Sequence, residues 1–420
     1  MTRRILCGTK LALLAALLAG GTTTVAAEPN DEPWWPQFHG PNRDNMSTET
    51  GLLKRWPEGG PKLVWKATGI GDGYAMLSIA DGRIFTSGDF DDDEKVVALN
   101  LDGKLLWKVN NGESWTGPYP GARTTPTYDD GVLYHMNPHG RLTALQADSG
   151  KSVWSVDLRA RFGARFGMWA MAENVVVDAD RVLCVPGGTK ALVAALDKRT
   201  GKTLWINHDL DEVAAYCSPA VVTYKGVRQL ITLTQKSVVS IAVDTGKLLW
   251  SHPHVTRHDQ NINTPLFHEG YVFLASGHSG GGRLLKINDD VSGATEIWYR
   301  KELDNCHGGA MLLDGCLYGS ACRAGGKMFF CADFLTGETL HSDPKMAKLS
   351  LTHADGRLYG LSNTGRMLLI ATKPGKFQVV SGFRVPRGSS EQYLAHPTIC
   401  GGRLYIRHGD DLYAYDVKAR

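Results

Sequence analysis

The chain has little net charge. Its 46 Lys and Arg against 43 Asp and Glu leave a formal balance of +3, and Arg3, Arg4 and Lys10 near the N-terminus supply all of it. Beyond residue 27 the two signs cancel. This excludes the basic footprint that nucleic acid or an anionic membrane surface requires. Long apolar runs are also missing, so no segment after the first 27 residues reads as a membrane-spanning helix. Cysteine is sparse, eight in 420 residues, and the scattered positions make a poor disulfide framework. Among the later seven, Cys316 or Cys322 is the expected partner for Cys331 if any pair forms. No Cys-x-x-Cys-His occurs, which excludes covalent haem of the c type. Phosphate-loop and His-Glu-x-x-His patterns are absent too.

Residues 1–27 have the layout of an export signal. Arg3, Arg4 and Lys10 form the basic start, Leu11 to Gly20 the apolar centre, and Val25-Ala26-Ala27 a small-residue cleavage site. Cys7 precedes the apolar run and so is poorly placed for lipid attachment. The expectation is a protein delivered to the periplasm or beyond the cell.

What is abundant is glycine, 48 residues, set in turns, and a word that returns. Ala195-Leu196-Asp197-Lys198-Arg199-Thr200-Gly201-Lys202-Thr203-Leu204-Trp205 has counterparts at Val97 to Trp107, Ala144 to Trp154 and Ile241 to Trp250, with looser ones further on. The period is about 40–50 residues, that of propeller blades. Each repeat carries four strand signals. Asp-Gly turns such as Asp130-Gly131 join the first two, a strong hairpin signal. The counting gives eight units, near 74–109, 122–158, 172–207, 216–252, 262–300, 307–342, 348–382 and from about 394 onward. The last lacks its Trp strand, and Lys62 to Ala67 holds a spare one. An all-β, eight-bladed propeller over 62–420, closed by its N-terminal strand, follows. Trp65, Trp107, Trp154, Trp205, Trp250 and Trp298 occupy one place in the repeat and are expected to dock against the neighbouring blade. Blades six and seven have His341 and Val379 there, so their packing should differ. Residues 28–61 form an aromatic, Pro-rich lead segment expected to dock on a face or on the closing blade.

The 195–205 word resembles the tryptophan-docking repeat of the PQQ-like, quinoprotein-type propeller family. Trp35-Pro36-Gln37-Phe38-His39-Gly40-Pro41-Asn42 looks like the opening of the exported bacterial branch. That family includes dehydrogenases that carry pyrroloquinoline quinone (PQQ) with calcium. It also includes the non-catalytic scaffold propeller of outer-membrane protein assembly. The resemblance to the alcohol dehydrogenases implies two adjacent cysteines beside the quinone, and this chain has none. Sugar-oxidising quinoproteins lack that pair as well. The acidic run Asp89 to Glu94 reads as a solvated loop away from the axis.

In a propeller the loops feeding the innermost strands converge on one mouth of the axial channel. Aligning the repeats puts Tyr74, Arg123, Trp169, Glu173, Asn174, Tyr216, Asn263, His307, Ser350 and His396 there, a polar and aromatic set fit for a small polar ligand or an extended peptide. Two other clusters are weaker: His252, His254 and His258 at spacings that suit zinc, and Cys306 beside His307, which a strand would point to opposite faces. Function belongs to the site, not the fold. The leading reading is a non-catalytic scaffold with no resident cofactor or metal, a single copy binding an envelope or extracellular protein or a small polar ligand. The alternative is a PQQ- and calcium-dependent oxidoreductase of alcohols or sugars, with Arg123 on the quinone carboxylates. A third reading, a part in outer-membrane assembly, is opposed by the position of Cys7.

Overall fold

A computed structural model describes residues 32–256, 260–278, 280–322, 328–346 and 348–420. The proposed export signal lies outside them. The described chain forms eight four-stranded antiparallel sheets, seven of them meanders of consecutive strands. Blade one runs Ser78–Ala80, Arg83–Phe90, Asp93–Asn100 and Leu105–Glu113 from the axis outward. The innermost strands of blades two to seven are Thr127–Asp129, Val176–Asp178, Ala220–Tyr224, Leu266–His268, Ala310–Leu313 and Leu349–Ala354. No helix among the described residues is long and apolar enough to cross a membrane.

The eighth blade joins both ends of the folded chain. Lys62–Thr68 pairs antiparallel with Asp411–Asp416, setting Leu63 opposite Tyr415 and Lys66 opposite Tyr413. Arg403–His408 and Thr398–Cys400 complete the sheet. The ring therefore has no open sheet edge between its first and last blades.

Local chemistry shapes each blade. At Asp130 and Gly131 both φ angles are positive, 46° and 78°, the pair that a tight two-residue hairpin needs and that Asp-Gly adopts at low cost. Between the third and fourth strands every blade has a bulge, as where Ala195 faces Trp205 while Leu196 faces Thr203. The extra residue leaves Leu204 exposed and turns Trp205 inward. The indole N–H of Trp65, Trp107, Trp154, Trp205 and Trp298 then donates to a carbonyl of the following blade, at 2.9–3.2 Å. Trp250 departs from this pattern: it donates within its own blade to Gln229 Oε1 at 3.3 Å, while still sharing a core with Leu285 and Ile287 of blade five. In blade six, where Trp is missing, the His341 ring meets Phe377 with centroids 4.5 Å apart.

The lead segment does not simply cover a face. Trp35 bridges to Ile79 with two backbone hydrogen bonds, and Pro36 accepts from Tyr128 N–H. Ten residues on, Asn45 and Ser47 bond to His353 on the innermost strand of blade seven. The segment thus lies against the inner strands of blades one, two and seven, at the axial side of the ring. Further along, Leu53 bonds to Val417 and Trp56 packs on Tyr359 and Phe383, along the seam of blades seven and eight.

Candidate functional site

The residues placed at the mouth by repeat alignment form two groups and a bridge. The first group centres on Arg123. Its guanidinium donates to the carbonyls of Trp169 and Tyr119 and lies 5.8 Å from the Trp115 ring centroid, a cation–π distance. Tyr74, Asp89, Glu94 and Tyr216 surround it electrostatically, while burial draws its pKa downward. Trp169 meets Tyr216 edge to face at 5.4 Å. Trp115 meets Phe166 in the same manner at 6.3 Å, and His139 at a tilt with centroids 5.9 Å apart.

The second group lies on the other half of the ring. His396 Nε2 contacts the His307 carbonyl at 2.8 Å, and its Nδ1 faces His39 Nε2 at 3.2 Å and Asn45 Nδ2 at 3.1 Å. Burial lowers His396 to about 4 and His307 to about 3, so both imidazoles are neutral at physiological pH. Asn263 bonds to the Ala275 and Asn305 carbonyls and accepts from Gly309 N–H. Ser350 Oγ donates to the Leu394 carbonyl at 3.5 Å.

Glu173 and Asn174 bridge the groups. Asn174 accepts from Thr125 N–H and donates to Ser218 Oγ. Arg43 of the lead segment donates to the Asn174 carbonyl at 2.7 Å and the Val175 carbonyl at 3.2 Å. Burial pushes Glu173 up to about 8, with Arg43 opposing. A cavity of about 680 Å³ remains in the channel, between residues 37–46 and the inner strands of blades three to six.

Two sequence readings need correction. Asp91 and Asp92 are exposed in their hairpin as expected, but Asp89 and Glu94 are not part of a solvated loop. They are cross-strand partners whose side chains share one face of the sheet and lie by Arg123 at the mouth. Glu94 is fully buried, with His135 Nε2 its closest cationic candidate at 3.4 Å. Second, the disulfide joins Cys306 to Cys322, while Cys316 and Cys331 are both thiols. Cys322 follows the strand Cys316–Ser320, and its N–H bonds to Asp304, which carries it to Cys306. His252 and His254, the weaker zinc candidates, do not converge: one contacts the Pro253 carbonyl, the other Ser276 Oγ. His258 lies outside the described residues.

Repeat alignment missed Trp115, Asp89, Glu94 and Arg407. Arg407 is buried and donates to the carbonyls of Gly71, Ala75, Ser87 and Gly409 and to Thr86 Oγ1. Its signal was a charged residue directly after the apolar run Leu404-Tyr405-Ile406.

The fold and this mouth define the class, an eight-bladed propeller of PQQ-like repeats. A family profile described as "Outer membrane protein assembly factor BamB" matches residues 92–342, and the chain belongs to that family. Quinohemoprotein alcohol dehydrogenase ADH IIB of Pseudomonas putida is 31% identical over 188 residues, 41% of this chain and 25% of that protein. Outer membrane protein assembly factor BamB of Salmonella typhimurium is 29% identical over 143 residues, 33% of this chain and 32% of that protein. The matches thus span only a quarter to a third of these relatives. The crystal structure of BamB from Moraxella catarrhalis shares the fold, with a TM-score of 0.60 at 14% identity over 85% of this chain and 98% of that one.

The quinone and calcium of the family's dehydrogenases fit these residues poorly. A hard cation wants six to eight oxygen ligands, and among the described residues no three His, Cys, Asp or Glu side chains are grouped to share one. Backbone carbonyls already take donors of Arg123, and the lead segment fills axial space with His39, Arg43 and Asn45.

Proposed function

We propose that this chain is an exported, non-catalytic propeller that binds a partner protein of the cell envelope through its mouth. The observation that carries the reading is the occupied channel. The lead segment engages His396 through His39 and Asn45 and the Asn174 carbonyl through Arg43, whose charge also acts on Glu173, so part of the polar axis is used for structure. What faces outward is an aromatic crest around Arg123: Trp115, Tyr119, Phe166 and Trp169, with Tyr119 and Met168 about half exposed. Aromatic and Arg side chains supply most of the binding energy at protein interfaces. In this reading residues 1–27 are removed on export, 28–61 tie the ring from inside, 62–420 form the propeller, and one copy acts alone.

The similarity to a quinohemoprotein dehydrogenase favours a second reading, an oxidoreductase holding PQQ near Arg123. The test is affinity capture from envelope extract by wild type and by a Tyr119→Ala, Trp169→Ala variant of equal thermal stability. The binding reading expects a stoichiometric partner with wild type that the variant loses. Equal recovery by both would remove the mouth from the account.

A further inference from the structure

Beside the Arg123 crest lies a cleft of about 920 Å³, between the inbound loops of blades one and eight and the connector 114–121. Its charges have one sign. Among the described residues, Asp72, Asp89, Asp91 and Glu391 line it, and no Lys, Arg or His does. Tyr74, Trp115 and Tyr119 supply aromatic walls. On the wall, Asp89 Oδ1 is shut off from solvent and accepts no hydrogen bond. Its cross-strand partner Glu94 is on the same face, fully buried, with neither oxygen hydrogen-bonded. The Trp115 and Gly121 N–H groups and the charges of Arg123 and Arg407 favour ionised Asp89, but neither arginine pairs with it directly. Arg123 and Arg407 direct their donors to backbone carbonyls and Thr86. Among the described residues none forms an ion pair with Asp89.

Unsatisfied buried acceptors cost free energy unless something supplies a donor. A carboxylate flanked by aromatic faces selects a group that is both cationic and able to lie against a ring. We propose that this cleft binds a guanidinium or alkylammonium group, held by Asp89 and walled by Trp115 and Tyr119. The source is either a free organic cation or a basic side chain on a partner segment. Only the choice of face rests on the binding reading above.

The test titrates the full chain at low salt with arginine amide, with the tripeptide Arg-Arg-Arg, and with its neutral citrulline counterpart. Saturable binding of the arginine probes and none of the citrulline peptide is expected. Asp89→Asn should weaken binding about tenfold or more, the effect of losing a charge-assisted hydrogen bond. Tyr119→Ala, at a half-exposed position, should weaken it about two- to fivefold. Burial raises Asp89 to about 6, so binding near that pH should release protons into the buffer. A tripeptide much tighter than arginine amide assigns the group to a partner segment; equal affinities assign a free cation. No saturable binding, equal binding of citrulline, or affinity unchanged in Asp89→Asn overturns the proposal. Should Asp89→Asn not fold, Tyr119→Ala decides. Captured partner lost in the single variant Trp169→Ala, which does not line the cleft, is a separate readout, so the two ideas can fail independently.

Discussion

Gly201, in the turn before the Trp205 strand, lies beneath the indole of Trp154 from the preceding blade. A Cβ on Gly201 would come within 2.8 Å of the ring, and its φ is +66°. The same glycine-under-tryptophan contact joins Gly103 to Trp65, Gly150 to Trp107, Gly246 to Trp205 and Gly337 to Trp298. The Thr-Gly-Lys word is thus one half of an inter-blade joint whose other half is the Trp of the blade before.

Gly201→Ala should therefore destabilise the fold through both backbone strain and collision. Gly226 also has a positive φ, +79°, but faces open space. Gly226→Ala carries the strain alone, roughly 1–3 kcal/mol, and Gly201→Ala should exceed it. Urea midpoints of the two variants decide, and equal losses would mean the indole contact counts for little.

Closure of the ring at Lys62–Thr68 makes the blades depend on one another. Trp65→Ala should cost about 2–4 kcal/mol, below a fully buried Trp because Trp65 is partly exposed. Removing 62–68 altogether bares the strand Asp411–Asp416. Calorimetry should show one transition for Trp65→Ala, and aggregation for the truncation.

Burial pushes the Glu173 carboxyl up to about 8 from an ordinary 4.5. The folded state then holds a proton that the unfolded chain releases. This stabilisation is complete below pH 4.5 and is lost as pH rises through about 8. Relative to Glu173→Gln, which has no such proton, wild type should lose stability across that window, by at most about 1.4 kcal/mol per pH unit. Paired urea melts at several pH values measure the slope, and a flat difference would mean that Glu173 titrates normally.

The Cys306–Cys322 bridge spans a sequence separation of 16. Chain-entropy arguments assign such a loop about 3 kcal/mol. The double variant Cys306→Ala, Cys322→Ala should lose about that much. Unfolded, unreduced protein should yield thiols from Cys184, Cys217, Cys316, Cys331 and Cys400 but not from the bridged pair.

The ring was legible because its rules are local. Asp130-Gly131 specifies a hairpin, Thr-Gly-Lys-x-x-Trp specifies a bulged outer strand, and a missing Trp strand at one end matched a spare at the other. The mouth was half legible, since repeat alignment places Tyr74, Arg123, Trp169 and Tyr216 on neighbouring loops. It could not say that His307 and His396 form a different cluster, because their neighbour His39 comes from a segment with no periodicity. Glu94 was misread for a related reason. Its sequence neighbours are charged and solvated, and only the approach of blade two buries it. Cys306 and Cys322 meet through the Asp304 loop, which spacing cannot reveal.

The central claim is that this propeller's mouth binds a partner and does not run quinone chemistry. The most direct check is titration of purified protein with PQQ and calcium, read by cofactor absorbance and by dye reduction with alcohols and sugars. The account predicts an unshifted cofactor spectrum and no dye turnover. A stoichiometric red-shifted spectrum with substrate-dependent dye reduction would contradict it.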